Sequence, residues 1–328
     1  ASTSRSASSY ARVPGGTLAC PGHARLLDVP SAKASETINT SHRILHRVSK
    51  RLWENVPIMP KPEIQPPTTK TVRDESEHGE WFATTLARGL SLIEAFGPED
   101  TWLGNAELSR RTGLSKPTVS RLSSTLIELG FLTRNDEGKF RPGVRLLALA
   151  YPVLRSLTIR LVARPLMLEV AREIRGAVSL GALDRLSLIY VETARSTDPH
   201  PRSPDVGNNA PLIQTAIGRA LLAQLDEATR MRVLEQTRTD MPDLWERHHA
   251  KAAEAVQDCA RQGYCLSYGD FDPRVHAVGV PLLTLPDGTA LAMNCGIPAF
   301  RLGYGQLEND VAPRAVALAA SIRTMWKP

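Results

Sequence analysis

Between Asn105 and Arg141 the chain reads NAELSRRTGLSKPTVSRLSSTLIELGFLTRNDEGKFR, a stretch that predicts two short helices, a tight turn and a β-hairpin. Asn105 suits a helix N-cap, and Glu107 falls in the first turn, where the helix dipole favours an anion. Gly113 supplies the backbone freedom for a sharp exit. Ser115 predicts a second N-cap, with Pro117 in the first turn, where a missing N–H costs nothing. Val119, Leu122, Leu126 and Leu129 then make one apolar stripe at helical spacing. Pro117, Ser120, Arg121, Ser124 and Glu128 project the other way. Gly130 closes the helix, and strands at 131–134 and 139–141 flank the turn Asn135-Asp136-Glu137-Gly138. The pattern is a helix-turn-helix followed by a wing.

Charge agrees with that pattern. From Leu108 to Arg145, eight basic side chains against three acidic ones leave +5, and the whole chain carries +6. Such a patch attracts a phosphate backbone, and small polar side chains at a helix start can enter a major groove. Double-stranded DNA is therefore the expected partner. Ser115, Lys116, Thr118, Ser120 and Arg121 are expected at the groove, with Pro117 and Ser124 on the same face. Arg134, Lys139 and Arg141 are expected to hold phosphates from the wing.

Several segments in order resemble one family. Leu86-Ala-Arg-Gly-Leu-Ser-Leu-Ile-Glu-Ala-Phe96, Asn105-Ala-Glu-Leu-Ser, Gly113-Leu-Ser-Lys-Pro-Thr-Val-Ser-Arg-Leu122 and Glu128-Leu-Gly-Phe-Leu132 are similar to the DNA-binding domain of IclR-type transcriptional regulators. Gly143-Val-Arg-Leu-Leu-Ala-Leu149, Ala216-Ile-Gly-Arg-Ala-Leu-Leu-Ala223 and Gly263-Tyr264 extend the match over roughly residues 84 to 325.

The first eighty residues are different material. They hold eight of the 24 prolines, a serine-rich start and only Tyr10 and Trp53 as aromatics. Too little apolar area is present to offset ordering entropy, which predicts a disordered extension over residues 1–80. Within it, Ile44, Leu45, Val48 and Leu52 share a helical face. No apolar run approaches the ~18 residues of a membrane span. The four cysteines form no Cys-x-x-Cys pair, which suits a reducing, cytoplasmic setting.

Downstream, Leu86, Leu90 and Ile93 predict the core face of a first helix that opens the winged domain (81–142). A mostly apolar helix from Val144 to Leu154, broken near Pro152, occupies the interdomain stretch 143–157. From 158 to 328 the pattern predicts helices at 157–174, 211–222, 226–237, 245–262 and 306–325. Strands are expected at 177–183, 186–193, 264–268, 277–284 and 289–296, with 196–209 as a polar loop. Antiparallel strands with helices packed on the sheet make this an α+β domain. The resemblance implies that it is a GAF-like effector-binding domain, and that the 143–157 helix takes part in a dimer contact.

No active-site signature is present: no Gly-x-Ser-x-Gly, no phosphate-cradling glycine loop, no His-Glu-x-x-His. His248 and His249, adjacent on a predicted helix, point about 100° apart and cannot clamp one metal. No cofactor is expected. The resemblance implies a pocket for a small organic effector, often a carboxylate, lined by Ala216, Ile217, Ser267, Val275, Ala277, Asn294 and Gly296. The sequence therefore predicts a non-enzymatic, DNA-binding transcriptional regulator working as a homodimer or homotetramer. The rival readings are a bifunctional enzyme carrying a winged helix, which would need nucleotide or metal motifs after residue 160, and a protein-interaction module on the same fold.

Overall fold

The computed structural model describes residues 82–196 and 204–327; the expectations for residues 1–80 lie outside them, as does part of the polar loop. Helix α1 (Thr84–Glu94) leads to α2 (Asn105–Thr112) and α3 (Lys116–Glu128), then to β1 (Leu132–Arg134) and β2 (Phe140–Pro142). Gly113 ends α2 in the left-handed region at φ 72°, as its place in the sequence requires. Leu92, Leu108, Val119, Leu122, Leu126, Leu132 and Phe140 form the core that holds these pieces together. The wing gains a third participant, because Leu103 pairs with Phe140 through two backbone hydrogen bonds of 2.8 Å.

Three local expectations change. Asn105 is the first residue of α2, not its cap; Gly104 holds that place. Leu129 lies at the helix end and is 49% exposed, since the chain turns away at Gly130 before its side chain can reach the core. On α1 the buried positions are Ser91 and Leu92, with Ala95 just beyond the helix, while Leu86 and Leu90 face outward.

Helix α4 (Arg145–Ser156) runs through Pro152 instead of breaking there. The ring removes one N–H, but Ala148, four residues back, is exposed, so water can take its freed carbonyl. No α4 residue is buried, and Leu147, Leu149, Tyr151 and Val153 are all exposed.

The larger α+β part begins with α5 (Ile159–Glu173). A six-stranded antiparallel sheet follows, built from β3 (Ala177–Asp184), β4 (Ser187–Arg195), β5 (Asn209–Pro211), β6 (Cys265–Tyr268), β7 (Val275–Thr284) and β8 (Ala290–Pro298) in the order β5-β4-β3-β8-β7-β6. Between β5 and β6 come α6 (Ala216–Gln224), α7 (Glu227–Asp240) and α8 (Pro242–Gln262). The final helix α9 (Ala312–Met325) is preceded by a wider turn at Leu307–Val311, where one continuous helix was expected. Pro313, lacking an N–H for the carbonyl four residues back, accounts for that change of pitch.

Strand alternation sends β8 residues Leu291, Met293, Cys295 and Ile297 to one face, where α5 and α9 cover them. Ala290 and Ala292 point to the other, under α6 and α8. Helix α6 lies unusually close to the sheet. A Cβ on Gly279 would stand 2.1 Å from the Ala216 carbonyl oxygen, and one on Gly218 would stand 2.3 Å from that of Leu212. Both obstacles are backbone, which cannot swing aside. Gly279→Ala should therefore cost about 1–3 kcal/mol or more. A urea titration followed by circular dichroism should show that loss as a lower unfolding midpoint for the α+β part; an unchanged midpoint would mean that the helix can lift off the sheet freely.

Candidate nucleic-acid interface and effector face

Helix α3 owes its rigidity to side chains from its neighbours. The Asn105 amide donates to Ser120 Oγ at 2.7 Å and to the Lys116 carbonyl at 3.3 Å, tying α2 across the start of α3. Ser109 donates to the Leu114 carbonyl at 2.6 Å, fixing the turn. Arg111 reaches back to Asp100, Glu107 and the Ala95 carbonyl, locking α2 to the end of α1. Hydrogen bonds from Arg110 and Arg111 hold the Glu107 carboxyl down at about 2. Two of the basic residues counted in the sequence thus serve the scaffold, and their charge is answered within the domain.

What α3 leaves outside is the face expected from its spacing. Ser115, Lys116, Pro117, Ser120, Arg121 and Ser124 are exposed and Thr118 is half-buried. Ser115 and Thr118 pair hydroxyl to hydroxyl at 2.9 Å, so Ser115 sits at the N-cap without bonding a helix N–H. Ser124 returns its hydroxyl to the Ser120 carbonyl. In the wing, Arg141 lies 4.8 Å from the Trp102 ring and donates to Thr133, while Lys139 pairs with Glu137 at 2.8 Å. Arg134 is exposed beside the Gly138 turn.

The seven residues expected around an effector come together on one face of the large sheet. Directly paired residues of antiparallel strands share a face. One row across the strands is Thr193, Ser179, Asn294 and Gly279; the next is Ala177, Gly296, Ala277 and Ser267. Val275 follows Ala277 by two along β7, on the same side. The start of α6 stands over this face: Thr215 caps it by accepting from the Gly218 N–H at 3.1 Å, and the Ala216 carbonyl accepts from Cys265 Sγ at 3.4 Å. Ile217 packs against Gly181 and Leu188. A cavity of about 230 Å³ opens near β4, lined by Arg164, Leu168, Thr193, Ala194 and Arg195; none of the seven borders it. Its ionic neighbour Glu192 is already held by Arg160 and Arg164.

Sequence reasoning missed the charged cluster at the edge of this face. Arg219, with its side chain only 2% exposed, pairs with Asp270 at 2.7 Å and donates through Nε to the Ile213 carbonyl. Asp270 also takes Lys251 of α8 and Ser267 of β6, and its carbonyl accepts from Gln214. One carboxylate thereby joins α6, α8 and the sheet. Ser267, expected to face an effector, has its hydroxyl engaged here. Nothing local in the sequence marks a partner 51 residues away. Two histidines have structural places: His249 stacks on Trp245 at 5.0 Å, and His276 meets Tyr268 edge-on at 5.3 Å. Among the described residues no group of side chains is placed to hold a metal ion, and no single helix is long and apolar enough to cross a membrane.

Burial opposes ionisation of Asp270, but the bonds from Lys251 and Arg219 outweigh it and hold its pKa below the ordinary value. A carboxylate depressed in the folded state contributes stability that is full above its unfolded pKa and is lost as pH falls through the folded one. Asp270→Asn leaves Arg219 buried without its counter-charge and should cost about 3 kcal/mol at neutral pH. Its stability should also fall less steeply than the parent's as the medium is taken below pH 4, roughly the ordinary carboxylate range. Urea midpoints measured from pH 7 down to 3 should show both effects; parallel acid limbs for parent and variant would remove Asp270 from the account.

Comparison with known proteins adds the following. Residues 85–136 match the IclR helix-turn-helix domain, and residues 151–323 match the bacterial transcriptional regulator IclR C-terminal domain. The HTH-type transcriptional regulator TsaQ1/TsaQ2 of Comamonas testosteroni is 31% identical over 257 residues, covering 77% of this chain and 92% of that protein. The crystal structure of an IclR family transcriptional regulator from Brucella abortus superposes with a TM-score of 0.70 at 36% identity, covering 81% of this chain and all of the other. An IclR homolog from Microbacterium hydrocarbonoxydans, solved in complex with 4-hydroxybenzoate, has the same fold, with a TM-score of 0.57 at 24% identity over 73% of this chain and 98% of that one.

Proposed function

The chain belongs to the IclR family of transcriptional regulators, and on that footing we propose that it binds a specific duplex DNA site through α3 and the wing, under the control of a small organic carboxylate. The observation that carries the DNA half is the exposed face of α3. Arg121 stands there with no protein partner for its guanidinium among the described residues, on a helix whose start is clamped by Asn105. A free guanidinium on a rigid helix can make the two parallel bonds that distinguish guanine in the major groove. Lys116 and Ser115 stand at the start of the same helix, with Thr118 and Ser120 a turn further in. On this reading Arg134, Lys139 and Arg141 take phosphates, and Lys139 exchanges its weak surface pairing with Glu137 for one of them.

The proposed limits are a winged domain at 81–142, a connecting helix at 143–157 and an effector domain at 158–328. The effector half of the proposal is supported by the seven gathered residues and by the start of α6, whose first N–H groups favour an anion. The 4-hydroxybenzoate complex is a precedent for a small carboxylate in this fold. The outward apolar side chains Leu86 and Leu90 of α1, and above all Leu147, Leu149, Tyr151 and Val153 of α4, support a homo-oligomer, because one short solvated helix rarely exposes four.

Selection of bound duplexes from a random pool tests the DNA reading. One preferred sequence should emerge, with affinity that drops steeply as salt is raised. Arg121→Ala should weaken binding to it by about 1–3 kcal/mol and relax the preference at one base position. Unchanged affinity and unchanged preference in Arg121→Ala would place recognition elsewhere. A pool that yields no consensus at all would count against sequence-specific binding itself.

A further inference from the structure

The basic side chains of the DNA-binding part are restrained in different ways. Arg110 and Arg111 end on Glu107 and Asp100, and Lys139 ends on Glu137, so each has a carboxylate answering its charge. No described carboxylate pairs with Arg141. Its Nε donates to Thr133 Oγ1 at 3.2 Å, and its guanidinium carbon lies 4.8 Å from the centre of the Trp102 ring. A hydroxyl and an aromatic face hold a cation in place without opposing it with a full negative charge. Arg141 is thus restrained, yet its charge stays available to something outside the chain.

Register explains why these three side chains meet. Strands β1 and β2 pair Thr133 with Arg141, and Leu103 bridges antiparallel to Phe140 on the other side of β2. One step along each of those two segments sets Trp102 opposite Arg141. Thr133, Arg141 and Trp102 therefore form one row across three segments, on the face of the wing turned away from the buried Leu132 and Phe140. Thr133 and Arg141 are exposed and Trp102 is half-buried, so the row is open to solvent. With Nε given to Thr133, the end of the guanidinium that carries both Nη groups is left without a hydrogen bond to any described residue. That end can make two parallel bonds to one phosphate. An arginine that swings in solvent loses rotamer freedom when a phosphate captures it, whereas one laid against a ring has given up part of that freedom on folding.

We propose that Trp102 is a positioning residue for DNA binding: its ring sets Arg141 as a preformed two-pronged holder for one phosphate. Trp102 acts through Arg141 and not on a base. The inference rests on the DNA reading above and adds a residue outside both α3 and the hairpin, one that governs affinity and leaves the preferred sequence alone.

Fluorescence anisotropy with the full chain and its selected duplex, over a series of salt concentrations, tests it by a double-mutant cycle. Trp102→Leu should weaken binding about three- to fivefold, with the preferred sequence unchanged. Arg141→Ala should also weaken it, and should flatten the slope of log affinity against log salt by about one. Once Arg141 is gone, Trp102→Leu should change affinity by no more than about 1.5-fold, because its effect passes through that side chain. Trp102→Phe keeps an aromatic packing partner but holds a cation less strongly, so it should fall between the parent and the leucine variant. Should the leucine variant fold poorly, the phenylalanine variant carries the cycle: a loss seen with Arg141 and absent without it is the expected result. Losses of equal size with and without Arg141 give Trp102 a purely structural role and overturn the inference. Full affinity in Trp102→Leu, or a changed sequence preference, overturns it too and leaves the DNA reading standing. A parent chain that prefers no duplex overturns the DNA reading and this inference with it.

Discussion

The α+β part depends on backbone meeting backbone where α6 crosses the sheet. Ala216 and Leu212 present carbonyls to Gly279 and Gly218 at distances that exclude even a methyl group. This brings the start of α6 down against the backbone of β7, with no side chain between Ala216 and Gly279. A larger residue at Gly279 would move the helix dipole away from anything lying on the strands, and one at Gly218 would push the helix off the segment that leads into it from β5. The small residues of the face, Ala177, Ala277 and Gly296, follow the same logic. Space beside a helix end is kept by leaving side chains out.

The charged knot at Asp270 has a different purpose. Burying Arg219 and Asp270 costs desolvation that their bonds must first offset, so the pair adds less to net stability than its short distances suggest. What it adds is definition. Arg219 lies one turn inside α6, Lys251 lies on α8, and Ser267 lies on an edge strand. A carboxylate bonded to all three gives the loop after β6 one arrangement among several of similar apolar content. The DNA-binding part uses the same device at Arg111, whose guanidinium joins Asp100, Glu107 and the Ala95 carbonyl.

What could be read from the sequence follows from how local each signal is. Val119, Leu122 and Leu126 repeat at helical spacing within one element, and Gly113 and Gly130 mark its surroundings, so α3 and the wing were legible. Helix α1 was legible as a helix but not in its orientation: Leu86 and Leu90 form as good a stripe as Leu92 and Ala95, and only the packing partner decides between them. The resemblance picked out seven residues that the fold gathers on one face of the sheet. It did not carry Ser179 and Thr193, whose relation to Asn294 depends on β3 pairing with β8 more than a hundred residues later. Asp270 and Arg219 were hidden for the same reason. Register between distant strands, and ion pairs closed across them, leave no periodic mark in a single sequence.

The two outermost strands of the sheet are also its shortest. Strand β5 has three residues and ends in Pro211, which offers no N–H, and β6 has four. Each covers only part of its neighbour, β5 pairing with Ser187, Leu188 and Ile189 of β4 and β6 with His276 to Gly279 of β7, so the remainder of those two long strands has no strand on its outer side. Short edge strands, one of them ending in proline, are one device against the strand-by-strand addition that begins fibrous aggregation. A second copy of the chain that approached through side chains on helices would make a contact that can be formed, released and tuned without unravelling the fold.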